Sequence, residues 1–80
     1  METLFTEQGL GSDWSVEVRF QGEFVGTILP SSDSKHYRYF QGHSKEIYVM
    51  EDHDLGALKD RIARKLQRHG MLEQGRAAHR

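Results

Sequence analysis

The sequence predicts an α+β domain: an antiparallel sheet of three or four strands, arranged as two hairpins, with one C-terminal helix packed on one face. Three observations carry that expectation. Apolar and polar residues alternate in the stretches 14–20 and 36–40. The tripeptide Phe-Gln-Gly closes both stretches, at 20–22 and again at 40–42, as if the same turn were used twice. Beyond residue 54 the apolar spacing changes from every second residue to the helical period of about 3.6.

Residues 1–12 read as an N-terminal arm, in which Leu4 and Phe5 offer enough apolar surface for a short additional strand. Residues 13–70 read as a single ββββα domain. Trp14, Val16, Val18 and Phe20 alternate with Ser15, Glu17 and Arg19, so the first strand has an apolar side for the helix to cover. Gln21-Gly22 supplies the first turn, Gly22 tolerating the positive φ of a tight hairpin. The second strand, EFVGTIL, stops at Pro30, which cannot donate to a ladder. A polar loop, PSSDSK, leads into HYRYF, where Tyr37 and Tyr39 share one face and His36, Arg38 and Phe40 the other. Gln41-Gly42-His43-Ser44 is then the second turn and KEIYVM, residues 45–50, the last strand.

The helix is expected to start at Asp52 or Asp54, either of which can accept from the unpaired N–H groups of a first turn. Leu55, Leu58, Ile62, Leu66 and His69 form its apolar stripe, Asp60 and Arg64 an i,i+4 pair, and Gly70 its left-handed C-terminal cap. Residues 71–80 then read as a frayed tail.

Composition narrows the function. A chain of 80 residues with 36% hydrophobic content builds one small core, too small for a large buried active site. With no cysteine it has neither disulfides nor thiolate-held zinc. No apolar run is long enough for a membrane span, and METLFTEQGL carries acids where a signal peptide needs cations, so a cytoplasmic, unprocessed protein is expected. The charges divide unevenly along the chain. Residues 1–34 carry one cation against six acids, −5, whereas residues 35–80 carry ten Lys and Arg against six acids, +4. Such asymmetry suggests an anionic partner for the basic half, unless the halves neutralise one another within the fold.

No catalytic set is present, and neither enzyme activity nor a cofactor is expected. His36, His43 and His53, with Asp52 and Asp54, lack the close local spacing of a zinc site, so metal binding is not expected either. No serine lies in a G-x-S-x-G elbow, and the G-x-x-x-G spacing of Gly22 and Gly26 falls inside a hairpin rather than at a strand-to-helix phosphate cradle. The candidates that remain are binding residues. Arg61, Arg64, Lys65 and Arg68 fall on adjacent helical ridges, where they suit phosphates or carboxylates. Arg38, Phe40 and Tyr48, with His36 and Lys45 nearby, would mix cations and aromatics on the sheet face that the helix leaves uncovered.

Residues 37–66, YRYFQGHSKEIYVMEDHDLGALKDRIARKL, resemble the AP2-like N-terminal DNA-binding domain of tyrosine integrases, in which a Tyr-rich hairpin with a basic turn precedes an LxxLKxxI helix. Tyr37, Tyr39, Gly42, Lys45, Ile47, Leu55, Leu58, Lys59 and Ile62 carry the likeness. The resemblance implies a sheet that enters the major groove and nominates Arg38, His43 and Lys45 as nucleic-acid contacts. Glu17 and Glu23 make the first hairpin acidic, a departure from that family's pattern. In size and style the chain is also similar to accessory and inhibitor proteins of phages and mobile elements, anti-CRISPR proteins among them, with no motif in common.

The expectation is therefore a small non-catalytic protein that works through a macromolecular partner, a protein sooner than a nucleic acid, as an inhibitor or regulator. A DNA- or RNA-binding module using the basic half is the alternative. Homodimerisation through an uncovered edge or face is a third way to use the same surfaces.

Overall fold

The computed structural model describes residues 2–78, with side chains through Arg68. Five strands, β1 (Thr3–Gln8), β2 (Ser15–Phe20), β3 (Glu23–Pro30), β4 (Tyr37–Gln41) and β5 (Met50–Asp52), form one antiparallel sheet in chain order. One helix, α1 (Leu55–Ala78), follows and lies on one face. The α+β arrangement is the expected one, and the additional strand that Leu4 and Phe5 allowed in the N-terminal arm is formed.

The extra strand comes from the segment expected to be an arm. Thr3–Gln8 pairs with β2 in unbroken register, from Thr3 opposite Phe20 to Gln8 opposite Ser15. Its alternation is hidden in the sequence because Leu4 and Phe5 are adjacent. Only Phe5 packs on the core, while Leu4 stands on the other face and is half exposed.

The first Phe-Gln-Gly is the tight turn it resembles. Gln21 and Gly22 have φ of 55° and 83°, the two positive values of a type I′ hairpin, and Phe20 faces Glu23 across it. A bulge follows, where the β2–β3 register shifts between Val18 and Arg19. The second copy behaves differently. β4 runs on through Gln41, the Gly42 N–H donates to the Val25 carbonyl, and the chain then crosses 43–49 without strand pairing. The strand expected at 45–50 is thus corrected to Met50–Asp52. A two-residue turn at Gln41-Gly42 would have set Ser44 and Glu46 against Tyr39 and Tyr37 beneath the helix. The longer connection instead sets Met50 against Tyr39, so an apolar side chain takes the place in the core.

The core is Val16, Val18, Ile28, Tyr39, Leu58 and Ile62, with Phe5, Trp14, Val25, Tyr37, Met50, Leu55 and Leu66 packed around it. Asp54 caps α1: its carboxylate accepts from the Ala57 N–H, and Asp52 in turn accepts from the Asp54 N–H. Leu55, Leu58, Ile62 and Leu66 face the sheet as expected, while His69, the last residue of the predicted stripe, lies outside the described side chains. The helix does not end at Gly70. It continues to Ala78, so that glycine sits inside a helix at a cost of about 1 kcal/mol relative to alanine. Residues 79–80 of the predicted tail lie outside the described residues. The predicted Asp60–Arg64 pair is not among the ion pairs of the described side chains.

Candidate functional site: a basic groove between the helix and the sheet edge

Two surfaces carry the residues singled out in the sequence. The first is the sheet face away from α1. The strand register brings Thr6, Glu17, Thr27 and Phe40 into one row across it, and Leu29, Arg38 and Glu51 into another. This face is not a bare aromatic platform. Phe40, expected to be exposed for a partner, is buried at 8% accessibility, because the 42–49 connection folds over it and Tyr48 meets its ring edge-on at 6.3 Å. Met50, at the start of β5, points to the helix side.

Arg38, on this face, is engaged as well. Arg38 Nε donates to Glu51 Oε2 at 2.8 Å, and its guanidinium lies 4.5 Å above the Tyr48 ring. The Arg38 bond holds the Glu51 carboxyl below its ordinary value, and Glu51 raises Arg38 in return. His43 stacks on Phe24 with ring centroids 4.8 Å apart. Lys45 and His43 line a polar hollow of about 230 Å³ with Gln8, Ser15, Glu17 and Thr27, and both remain exposed to water. Of the partner contacts nominated on this face, Tyr48 stays partly exposed, at 42%. Its neighbours Ile47 and Val49, not nominated from the sequence, are exposed at 79% and 45% because the strand expected to bury them does not form.

The second surface is the flank of α1 that runs along β5. Arg61, Arg64, Lys65 and Arg68 project there as their spacing predicts, and with Met50 they line a groove of about 370 Å³. Arg61 is tied into the sheet edge. One of its guanidinium nitrogens donates to the Glu51 carbonyl at 3.2 Å and lies 3.6 Å from Asp52 Oδ2. The Asp52 carboxyl is held below its ordinary value, chiefly by the Asp54 N–H and further by His53 and Arg61. Among the described residues Arg64, Lys65 and Arg68 have no ion-pair partner. Met50 and Asp52 were missed as members of this site. Their place in it depends on the long β4–β5 connection, for which the sequence offers no local signal.

The segregated charge of the chain is not cancelled by pairing. Arg19 pairs with Glu17 inside the acidic half, and Arg38 with Glu51 and Arg61 with Asp52 inside the basic half. Among the described residues no ion pair joins the two halves.

Serine, aspartate and histidine do meet once, in the turn after β3, but not in an order that activates a nucleophile. The Ser31 hydroxyl donates directly to Asp33 Oδ1 and accepts from the His36 backbone N–H, so the imidazole takes no part. The same hydroxyl, with the Lys35 N–H, lowers the Asp33 carboxyl, which makes it a weaker base. A cleft of about 370 Å³ beside this turn is lined by Leu10, Trp14, Pro30, Ser34, His36 and Tyr37. Among the described residues no group of three or more His, Asp or Glu is placed to hold a metal ion, and no helix is long and apolar enough to cross a membrane.

Fold and site together define a five-stranded antiparallel meander with a single covering helix and a cationic groove along one edge. No family model, no curated protein and no solved structure matches the chain.

Proposed function

We propose that the protein is a small non-catalytic binding module that inhibits or regulates a partner protein by occupying an acidic, partly apolar segment of it. One observation carries this reading: Arg64, Lys65 and Arg68 stand without ion-pair partners among the described residues, around a groove whose floor includes the thioether side chain of Met50. Cations around an apolar centre suit a peptide that brings both carboxylates and a hydrophobic side chain. A nucleic acid would use the same cations for phosphates but would also need a face on which bases stack. Among the described residues the groove has no aromatic lining side chain, and the aromatics of the opposite sheet face are taken up by Arg38, Phe40 and the 42–49 connection. A cytoplasmic setting and a mobile-element origin belong to the same proposal.

Fluorescence anisotropy with two probes tests it: a short peptide of alternating glutamate and leucine, and a random DNA duplex. The peptide is expected to bind more tightly than the duplex. Replacing Arg64, Lys65 and Arg68 together by glutamate should weaken peptide binding by at least about tenfold, equivalent to about 1.4 kcal/mol. Tighter duplex binding, with affinity falling steeply as salt rises, would transfer the groove to the nucleic-acid reading. Peptide binding unchanged in the triple variant would remove the groove from the mechanism.

A further inference from the structure

The two edges of the sheet are finished differently. β5 is three residues long, and the one residue whose backbone points outward from it, Glu51, has its carbonyl capped by Arg61. Short length and a covering side chain are the usual protections of an exposed edge. β1, at the other edge, is longer, and the Lys59 ammonium near it lies over the Phe5 ring, 5.7 Å from its centroid, rather than on the outward backbone groups. The strand is six residues long, Thr-Leu-Phe-Thr-Glu-Gln, without lysine, proline or a bulge.

Its hydrogen-bonding phase follows from the register. The Gln21 N–H donates to the Glu2 carbonyl, so in this ladder Leu4, Thr6 and Gln8 turn their backbone groups toward β2. Thr3, Phe5 and Glu7 therefore turn theirs outward, and among the described residues no backbone bond to another element satisfies them.

We infer that β1 is the dimerisation edge of this protein, pairing antiparallel with β1 of a second copy about a twofold axis at Phe5 and joining the two sheets into one.

That register uses every outward group of the strand. Phe5 pairs with Phe5 of the second copy, and Thr3 with Glu7 of the second copy on both sides of the axis, each pair exchanging both backbone bonds. The side chains suit it. Glu7 is the single charge on β1, and the twofold sets it across from a threonine rather than from its own copy. Thr3 Oγ1 is the one buried side-chain polar atom without a hydrogen-bond partner among the described residues, and it occupies the position opposite that carboxylate. Glu7 Oε1 accepts from Trp14 Nε1, which holds the carboxylate on the helix side of the strand. On the other face Leu4, 48% exposed, comes opposite Thr6 of the second copy and loses water. Self-complementarity of this kind selects a second copy over an unrelated strand. The inference is independent of the groove on α1, which lies toward the β5 edge.

Sedimentation velocity over a concentration series and residue-resolved amide exchange test it on the full chain. The expected species at high concentration has twice the 9.3 kDa chain mass. The Thr3, Phe5 and Glu7 amides should exchange slowly in that species and fast on dilution, whereas those of Leu4, Thr6 and Gln8 stay slow at both. Thr3→Pro removes an outward N–H and leaves the β2 ladder intact, so it should weaken dimerisation by at least about tenfold with the circular dichroism of sheet and helix retained. A 9.3 kDa species at every concentration overturns the inference. So does a dimer in which the three outward amides remain fast, since its interface lies elsewhere. Should Thr3→Pro fail to fold, the exchange pattern of the unsubstituted chain decides alone.

Discussion

Gly26 offers a sharp test of how this small core is packed. It sits in β3 opposite Val18 on one side and Gln41 on the other, on the face covered by α1. A methyl group there would lie 2.5 Å from the Phe40 carbonyl oxygen and 2.5 Å and 2.8 Å from Cε1 and Cζ of Tyr39. The Tyr39 ring is 2% exposed, with its hydroxyl directed to the Val25 carbonyl, so it has little room to withdraw. Overpacking of this sort costs about 1–3 kcal/mol, and a backbone oxygen among the close atoms places Gly26→Ala toward the upper end. Replacing a glycine within a strand returns about 0.5–1 kcal/mol. The net expectation is a loss of about 2 kcal/mol, against a total of about 3–5 kcal/mol for a core of this size. In thermal unfolding followed by circular dichroism, that corresponds to a fall in Tm of about 8–16 °C. Combining Gly26→Ala with Tyr39→Leu should recover part of the loss relative to the sum of the two single changes, because the ring contact is removed while the Phe40 carbonyl contact stays. A Gly26→Ala protein as stable as the original, or more so, would refute the packing argument and leave the glycine without a structural role.

Two further outcomes are expected. Gln21 holds a φ of 55° in the I′ turn, a conformation that asparagine tolerates better, so Gln21→Asn should stabilise by about 0.5 kcal/mol and raise Tm by about 2–4 °C; an unchanged or lower Tm would contradict the turn assignment. Asp33, Glu51 and Asp52 all have folded-state carboxyls held below their ordinary values of 3.8, 4.5 and 3.8, so their contribution to stability is complete above pH 4.5 and is lost as pH falls through the lowered values. Urea midpoints measured as a function of pH should show a plateau that gives way on acidification, with a shallower fall in Glu51→Gln; a midpoint that rises on acidification through this window would reverse the sign and sink the assignment.

The parts of the fold legible in the sequence are those fixed by local chemistry. Alternation in 14–20 gives β2, the first Phe-Gln-Gly gives the I′ turn, Pro30 ends β3, and the stripe from Leu55 to Leu66 gives the buried side of α1. Other parts depend on choices between distant partners. β1 exists because Phe5 finds the core beside Val18 and β2 has an edge to offer, neither of which is written in residues 3–8. The second Phe-Gln-Gly has the local signature of a hairpin, yet the identity of the residue that would fill the core, Met50 rather than Ser44, overrides it. The candidate site divides in the same way. The cations of α1 could be read from helical spacing alone. Burial of Phe40, engagement of Arg38 by Glu51 and exposure of Ile47 and Val49 all follow from the β4–β5 connection, and changed with it.

Charge segregation links the groove to the β1 edge. Since no ion pair among the described residues joins the acidic and basic halves, the molecule presents an acidic sheet region around β1–β3 and a basic flank along α1 and β5. A twofold at β1 joins the acidic regions and leaves one basic groove toward each outer end. Two such grooves on one rigid sheet engage two acidic segments at once, which raises avidity without any new contact, provided the segments are spaced to match. The groove and the edge then respond oppositely to salt. Attraction between the cationic flank and an acidic segment is screened as ionic strength rises, whereas the mutual repulsion of the two acidic regions across β1 is relieved. Measured together over a salt series, weaker peptide binding with unchanged or tighter dimerisation is the signature of this arrangement; parallel weakening of both would mean that dimerisation, too, runs through the basic surface.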